Sequence, residues 1–243
     1  MPEKYYLFVV LAFVAEIVGT ISGFGSSILF VPIAALFFDF KTVLGITAIF
    51  HVFSNISKIA LFRSGVRKEI VLKLGIPAVV FVIIGAYFTI FLPTTWIELA
   101  MNFVLVGLAV FLFIYTDKPL PQTNTNLYLG GMVSGFIAGI AGTGGAIRGI
   151  TLTAFQLPKD IFVATSALID FGVDASRAVV YVSNGYFQKE YFFLIPFLVG
   201  ISILGSYVGK IILKYASEVV FRRIVLGVIV ATALLQIIKY FSN

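Results

Sequence analysis

Long apolar runs separated by short polar breaks make up almost the whole chain. The runs lie near residues 5–22, 24–38, 42–62, 70–92, 97–115, 127–141, 144–157, 160–182, 190–213 and 219–241. A membrane-spanning helix needs about 20 mostly apolar residues, because the hydrocarbon core is about 30 Å thick. Backbone in that core has to satisfy its own hydrogen bonds, so the long runs are expected to be helices. The pattern predicts an all-α polytopic membrane protein with 8–10 membrane segments.

Two glycine-rich stretches, SGFGSSI (22–28) and AGTGGAI (141–147), each lie between two of the shorter runs. Short arms joined by a tight turn predict a helix hairpin that re-enters the membrane instead of crossing it. The run 5–22 is long enough to cross. The sequence therefore leaves open whether these hairpins cross or re-enter.

A shift of 119 residues aligns the first half of the chain with the second. It places one glycine-rich stretch on the other, and it matches three polar pairs, which are His51 with Asp170, Asn55 with Asp174, and Lys58 with Arg177. A long polar stretch, 116–126, separates the halves. We predict a first repeat over 1–115, a cytoplasmic linker over 116–126 and a second repeat over 127–243.

The two repeats are predicted to be inverted relative to each other. Each contains a glycine-turn helix hairpin and three long transmembrane helices. A repeat therefore has five membrane segments if the hairpin crosses and three if it re-enters, and both counts are odd. Inverted repeats are typical of secondary transporters. Nine basic residues fall on the side of the linker and four on the other side. The positive-inside rule then places both termini outside the cytoplasm.

Composition supports the membrane assignment. Charged residues make up 12% of the 243 residues, against about 25% in soluble domains. The net charge of +6 comes from residues scattered near segment ends, which fits membrane topology and not nucleic-acid binding. Cysteine is absent, so disulfides and thiolate metal sites are excluded. We expect a multi-pass protein of the cell membrane with no cofactor.

The glycine turns predict an anion site. Glycine lets the backbone turn sharply, and the helix that follows presents free N–H groups and a positive dipole end. Two such turns that meet near the midplane would cradle a small anion. The predicted ligands are Ser22, Gly23, Gly25, Ser26, Ser27, Gly142, Thr143, Gly144, Gly145 and Arg148. The alternative is that these glycines only allow close helix packing.

Polar residues inside the apolar runs indicate further functional positions, because they are costly in lipid. Positions 51, 55 and 58 share one helix face, as do 170, 174 and 177. We predict that Asn55, Lys58 and Arg177 bind or gate the anion, and that Asp170, Asp174 and His51 carry the coupling proton.

Ion pairs are expected between Arg177 and either aspartate, and between Lys58 and either aspartate across the repeat axis. The alternative is that Lys58 and Arg177 extend to the lipid headgroups.

The stretches ISGFGSSILFVPIAAL and SGFIAGIAGTGGAIRGITL, each followed by a polar-bearing helix, resemble the TauE/SafE family of sulfite and organosulfonate exporters. The resemblance covers nearly the whole chain. It implies a secondary transporter, or permease, for sulfite or a related sulfur-containing anion, driven by an ion gradient. Many family members have glycines where this first turn has serines, and hydroxyls suit an oxyanion.

The predicted partners are the anionic substrate, a coupling proton or cation, and the lipid bilayer. A homodimer is compatible with the sequence. An anion channel on the same scaffold and a membrane scaffold protein without transport activity are the alternatives. The sequence contains no HExxH or GxSxG motif, so we do not expect an enzyme.

Overall fold

The computed structural model describes residues 3–63, 65–97, 103, 107 and 121–215. Nine α-helices lie in this part of the chain, and their bounds are α1 (Glu3–Ser22), α2 (Ser27–Ala34), α3 (Phe40–Leu61), α4 (Lys68–Ile70), α5 (Ile76–Phe91), α6 (Asn124–Ala141), α7 (Gly145–Thr153), α8 (Lys159–Ser183) and α9 (Ile195–Tyr215). A π-helical turn, Val71–Gly75, joins α4 to α5, and a 3-10 helix, Lys189–Leu194, precedes α9. The predicted all-helical class is confirmed.

Four helical stretches in the described residues are long and apolar enough to cross a membrane: Tyr5–Ser22, Phe40–Leu61, Lys68–Phe91 and Lys189–Tyr215. These bounds agree with the predicted runs to within a few residues. The predicted third helix of each repeat, 97–115 and 219–241, lies almost entirely outside the described residues, as does half of the linker.

Each glycine-turn hairpin combines a long arm with a short one. Helices α1 and α6 have 20 and 18 residues, whereas α2 and α7 have 8 and 9. At a rise of about 1.5 Å per residue, the short helices are about 12–14 Å long and cannot cross the hydrocarbon core. The expectation of a short arm is therefore correct for α2 and α7 and wrong for α6, and the run 5–22 is long enough to cross, as the sequence indicated.

Glycines bring the long hairpin arms against neighbouring helices. On α6, Gly131, Gly135 and Gly139 recur every fourth residue and lie against the backbone of the π-helical turn and α5, where a Cβ atom would collide with a carbonyl group. Small residues at this spacing let membrane helices pack closely. On α9, Gly205 and Gly209 lie against the side chains of Glu16 and Thr20 of α1, where a Cβ atom would also collide. The packing role of glycine is thus real for these helices.

Helices α3 and α8 lie side by side and antiparallel at the centre. Leu61, at the end of α3, and Pro158, before the start of α8, line the same cavity. At the opposite end, Gly45 of α3 lies against Tyr186, which follows α8. The polar faces of both helices are buried between them and the hairpins. This arrangement places the residues from the two polar patterns in one interior region.

Candidate functional site

The two glycine turns touch each other inside the protein. Gly23 and Gly25 have φ angles of +67° and +83°, and Gly142 has +73°. Residues other than glycine rarely adopt this backbone conformation. The hydroxyl groups of Ser27 and Thr143, one from each turn, lie 3.4 Å apart. The predicted convergence of the turns is therefore present in the structure.

Close contact between the turns also requires glycine at the start of α7. A Cβ atom on Gly145 would overlap the carbonyl oxygen of Phe24 in the first turn. This glycine has no unusual φ angle, so its requirement comes from the neighbouring backbone alone.

Arg177 connects α8 to the second turn. Its guanidinium donates to Asp174 through Nε (2.8 Å), forms an ion pair with the same carboxylate through Nη2 (2.7 Å), and donates through Nη1 to the carbonyl oxygen of Gly142 (2.7 Å). Asn55 of α3 donates to the other oxygen of Asp174 at 2.7 Å. The predicted Asp174–Arg177 pair is confirmed.

Lys58 does not pair with either aspartate. Its Nζ lies 2.9 Å from Oε1 of Glu16 on α1 and donates to Ser54 at 2.7 Å. The expected pairing across the repeat axis is wrong, because α1 brings a carboxylate to the same face of α3. Lys58 and Arg177 are 3% and 1% exposed, so neither reaches the surface of the protein.

Arg148 forms a buried ion pair with Asp170, which also accepts a long hydrogen bond (3.4 Å) from Ser166. Arg148 is 4% exposed, and its Nη1 has no hydrogen-bond partner within the described chain. A buried guanidinium N–H without an acceptor is costly. Nη1 of Arg148 therefore carries N–H groups to which a bound anion could supply the acceptor.

His51 contacts the first turn. Its Nε2 lies 2.8 Å from Oγ of Ser26, and its Nδ1 is buried without a partner in the described residues. The rings of Phe30 and Phe50 pack against the imidazole. The histidine thus joins α3 to the tip of the first hairpin.

A small cavity lies at the first turn. It has a volume of about 10 Å³, roughly what one water molecule needs. Its lining includes Gly23 and Gly25 of the turn, Asn55 and Lys58 of α3, and Asp170 of α8. An oxyanion is larger than one water molecule, so this cavity is too small to hold one.

The buried charges of the described residues balance. Three carboxylates, Glu16, Asp170 and Asp174, accompany three cations, which are Lys58, Arg148 and Arg177. An anion that enters such a cluster leaves an uncompensated negative charge, which is expensive in a medium of low dielectric. Anion entry therefore calls for a proton or another cation to enter as well. No group of three or more His, Asp or Glu side chains suited to a metal ion occurs in this part of the chain.

Comparison with known proteins identifies the family. A match to the family described as "Sulfite exporter TauE/SafE" covers residues 8–235. The chain belongs to the TauE/SafE family. It is therefore a multi-pass membrane transporter and not an enzyme.

The chain is also similar to "Probable membrane transporter protein MJ0441" from Methanocaldococcus jannaschii, with 27% identity over 235 residues, covering 88% of this chain and 86% of that protein. No solved structure matches the chain.

The predicted site residues of this TauE/SafE protein gather in one region, but the prediction omitted part of the cluster. Glu16, Ser54 and Ser206 all take part in the network around Lys58. The one signal for Glu16 is an acidic residue inside an apolar run. Ser54 lies one turn before Lys58 on the same face, whereas nothing in the sequence distinguishes Ser206.

Proposed function

We propose that the protein is a secondary active transporter that moves a small sulfur-containing anion, sulfite or an organosulfonate, across the cell membrane by alternating access coupled to an ion gradient. The observation that carries this proposal is the neutral set of buried ion pairs beside the two touching glycine turns. Anion binding there needs a compensating cation, which is the physical basis of coupled transport.

The proposed anion ligands are the backbone N–H groups and hydroxyls of the two turns together with Arg148. The supporting geometry is the unpartnered Nη1 of Arg148 and the cavity at the first turn. Asn55, Lys58 and Arg177 complete the proposed path, and Asp170, Asp174 and His51 are the proposed proton carriers. Protonation of Asp170 would free Arg148 for the anion and remove a negative charge from the cavity wall.

The inverted-repeat proposal draws support from the contacts between helices. Asn55 and Asp174, which are 119 residues apart and thus matched by the repeat, hydrogen-bond to each other. Residues matched by a two-fold operation meet only near its axis. The matched helices α3 and α8 are antiparallel, and α1 packs on α9 as α6 packs on α5. Alternating access would rock one half against the other.

The proposed orientation rests on charge. Arg63, Arg67, Lys159, Lys210 and Lys214 lie at the end of the bundle where α3 ends, since Lys210 donates to the carbonyl oxygen of Leu61 and the Arg67 N–H donates to Thr165 near the start of α8. We place this end in the cytoplasm by the positive-inside rule. Both termini would then lie outside.

The test is uptake of labelled sulfite into proteoliposomes with and without an imposed pH gradient. The proposal predicts saturable uptake that the gradient drives above equilibrium. Saturable uptake that ignores every imposed ion gradient would contradict coupling. Flux that does not saturate would indicate a channel, and no flux of sulfite or any organosulfonate would overturn the substrate assignment.

A further inference from the structure

The carboxylate of Glu16 receives an unusually large set of donors. Oε1 accepts from Ser54 and Ser206 at 2.8 Å each, lies 2.9 Å from Nζ of Lys58, and accepts a longer bond from Thr20 at 3.3 Å. Oε2 accepts from Ser26 at 2.7 Å. Glu16 is fully buried. Five donors therefore converge on one side chain that the proposed function does not use.

These donors come from four separate helical elements. Thr20 belongs to α1 itself, Ser26 precedes α2, Ser54 and Lys58 belong to α3, and Ser206 belongs to α9. A carboxylate has about four lone-pair positions, two on each oxygen, so Oε1 has more donors around it than lone-pair positions. The oxygens of a sulfite or sulfonate group would also accept hydrogen bonds from hydroxyls arranged around one ammonium group. The cluster thus has the chemistry of an oxyanion receptor, and Glu16 occupies it.

The receptor adjoins the glycine turns. Lys58 and Gly19, which lies one turn after Glu16, both line the small cavity at the first turn. Ser26 belongs to that turn and contacts Glu16 directly. A transported anion in the cavity would therefore compete with Glu16 for Lys58 and Ser26.

We propose that Glu16 is a tethered competitor of the substrate: its carboxylate occupies an oxyanion site formed by Ser26, Ser54, Lys58 and Ser206, and its protonation releases that site to the anion. This inference rests on the proposed function and adds a receptor and a proton site to it. A neutral carboxylic acid holds an ammonium group far less strongly than a carboxylate does. The proton brings in the positive charge that the incoming anion needs.

The surroundings of Glu16 determine how this exchange depends on pH. Lys58 is the charged group that faces the carboxylate, and His51 stands behind Ser26, both on α3. In the described chain, α2 and α9 contribute only hydroxyls to the carboxylate, from Ser26 at the start of α2 and from Ser206. Acidification is therefore expected to favour anion binding through Glu16.

The test measures methanesulfonate binding to the purified protein by calorimetry across a range of pH. Methanesulfonate stays singly charged, so any pH dependence belongs to the protein. We expect the parent to bind at least about tenfold more tightly at low pH, a difference of about 1.4 kcal/mol. Glu16→Gln should bind more tightly than the parent at neutral pH and should keep only the smaller pH dependence that Asp170 contributes. Glu69→Gln, at an exposed carboxylate paired with Lys73, should behave like the parent.

Several results would overturn the inference. Glu16→Gln with the parent's pH dependence, or folded Glu16→Gln that binds no methanesulfonate, would do so. If Glu16→Gln does not fold, Ser206→Ala must weaken binding at low pH, and unchanged affinity contradicts the receptor. A parent that transports sulfite but binds no methanesulfonate also overturns it, whereas a parent that neither transports nor binds these anions refutes the proposed function itself.

Discussion

At the scale of the residue, the interior contains three pairs of an acidic and a basic side chain. They differ in how many acceptors surround the cation. Arg177 has carboxylate and carbonyl acceptors, and Lys58 has a carboxylate and a hydroxyl. In the described residues, Arg148 forms an ion pair with Asp170, and its Nη1 has no hydrogen-bond partner. The least satisfied cation is the one best able to accept a ligand.

The Arg148–Asp170 pair should show strong coupling in stability. Arg148→Gln leaves Asp170 buried without its counter-charge, which typically costs about 3–5 kcal/mol. Asp170→Asn in the same background removes that charge and should restore much of the loss. Thermal unfolding of the parent, both single variants and the double variant measures the coupling. Additive losses would show that the two side chains do not depend on each other.

Some of this residue chemistry follows from the sequence and some does not. The spacing of Asp174 and Arg177 on one helix face predicted their pairing, because helical neighbours are determined locally. Ser54 lies 38 positions from Glu16 in the sequence and Ser206 lies 190 positions away, so their contacts with Glu16 depend on how the helices pack. Helical periodicity carries no information about such contacts, and the Lys58 pairing was wrong for that reason.

At the scale of the element, the two hairpins depend on glycine for different reasons. Gly142 adopts a left-handed conformation, whereas Gly145 leaves space for the backbone of the other turn because it has no side chain. The sequence indicated the positions of the turns because glycine clusters are rare inside apolar runs. It indicated a longer first arm for the first hairpin but not for the second, since apolar length alone does not mark where a helix ends.

Gly145→Ala should impair transport because its methyl group would push the two turns apart at Phe24. We expect sulfite uptake in proteoliposomes to fall by at least about tenfold, since overpacking typically costs 1–3 kcal/mol. The matched control is Gly200→Ala on α9, where an added Cβ meets nothing within 4 Å. Equal uptake by both variants would show that the turns need not touch.

At the scale of the whole molecule, the antiparallel central helices and the basic end support an inverted topology. The natural absence of cysteine makes this testable without background labelling. Glu69→Cys lies on α4, at the end of the bundle where α3 ends, and Asn184→Cys lies after α8, at the opposite end. In intact cells, a thiol reagent that cannot cross membranes should label only Asn184→Cys, and both should react after the membrane is permeabilised. Labelling of Glu69→Cys in intact cells would reverse the orientation.

The all-helical membrane architecture of the described residues was the most predictable level, because apolar length is visible in the sequence. The size of the cavity at the first turn was not predictable, since it depends on which cation holds which carboxylate. The cavity has a volume of about 10 Å³, so the anion binding proposed there would require side chains or helices to move. The proposed alternating access would supply that movement.

The most direct test of the account is sulfite binding to the purified protein, measured by calorimetry for the parent, Arg148→Gln and Arg63→Gln. Arg63 lies at the surface, where its Nε donates to the carbonyl oxygen of Ala60, so it controls for loss of one positive charge. The account predicts saturable binding that weakens by at least about tenfold in Arg148→Gln, as expected for loss of a charged hydrogen bond of about 1.5–3 kcal/mol, and parent affinity in Arg63→Gln. Folded Arg148→Gln that binds sulfite as tightly as the parent would contradict an anion site at the glycine turns.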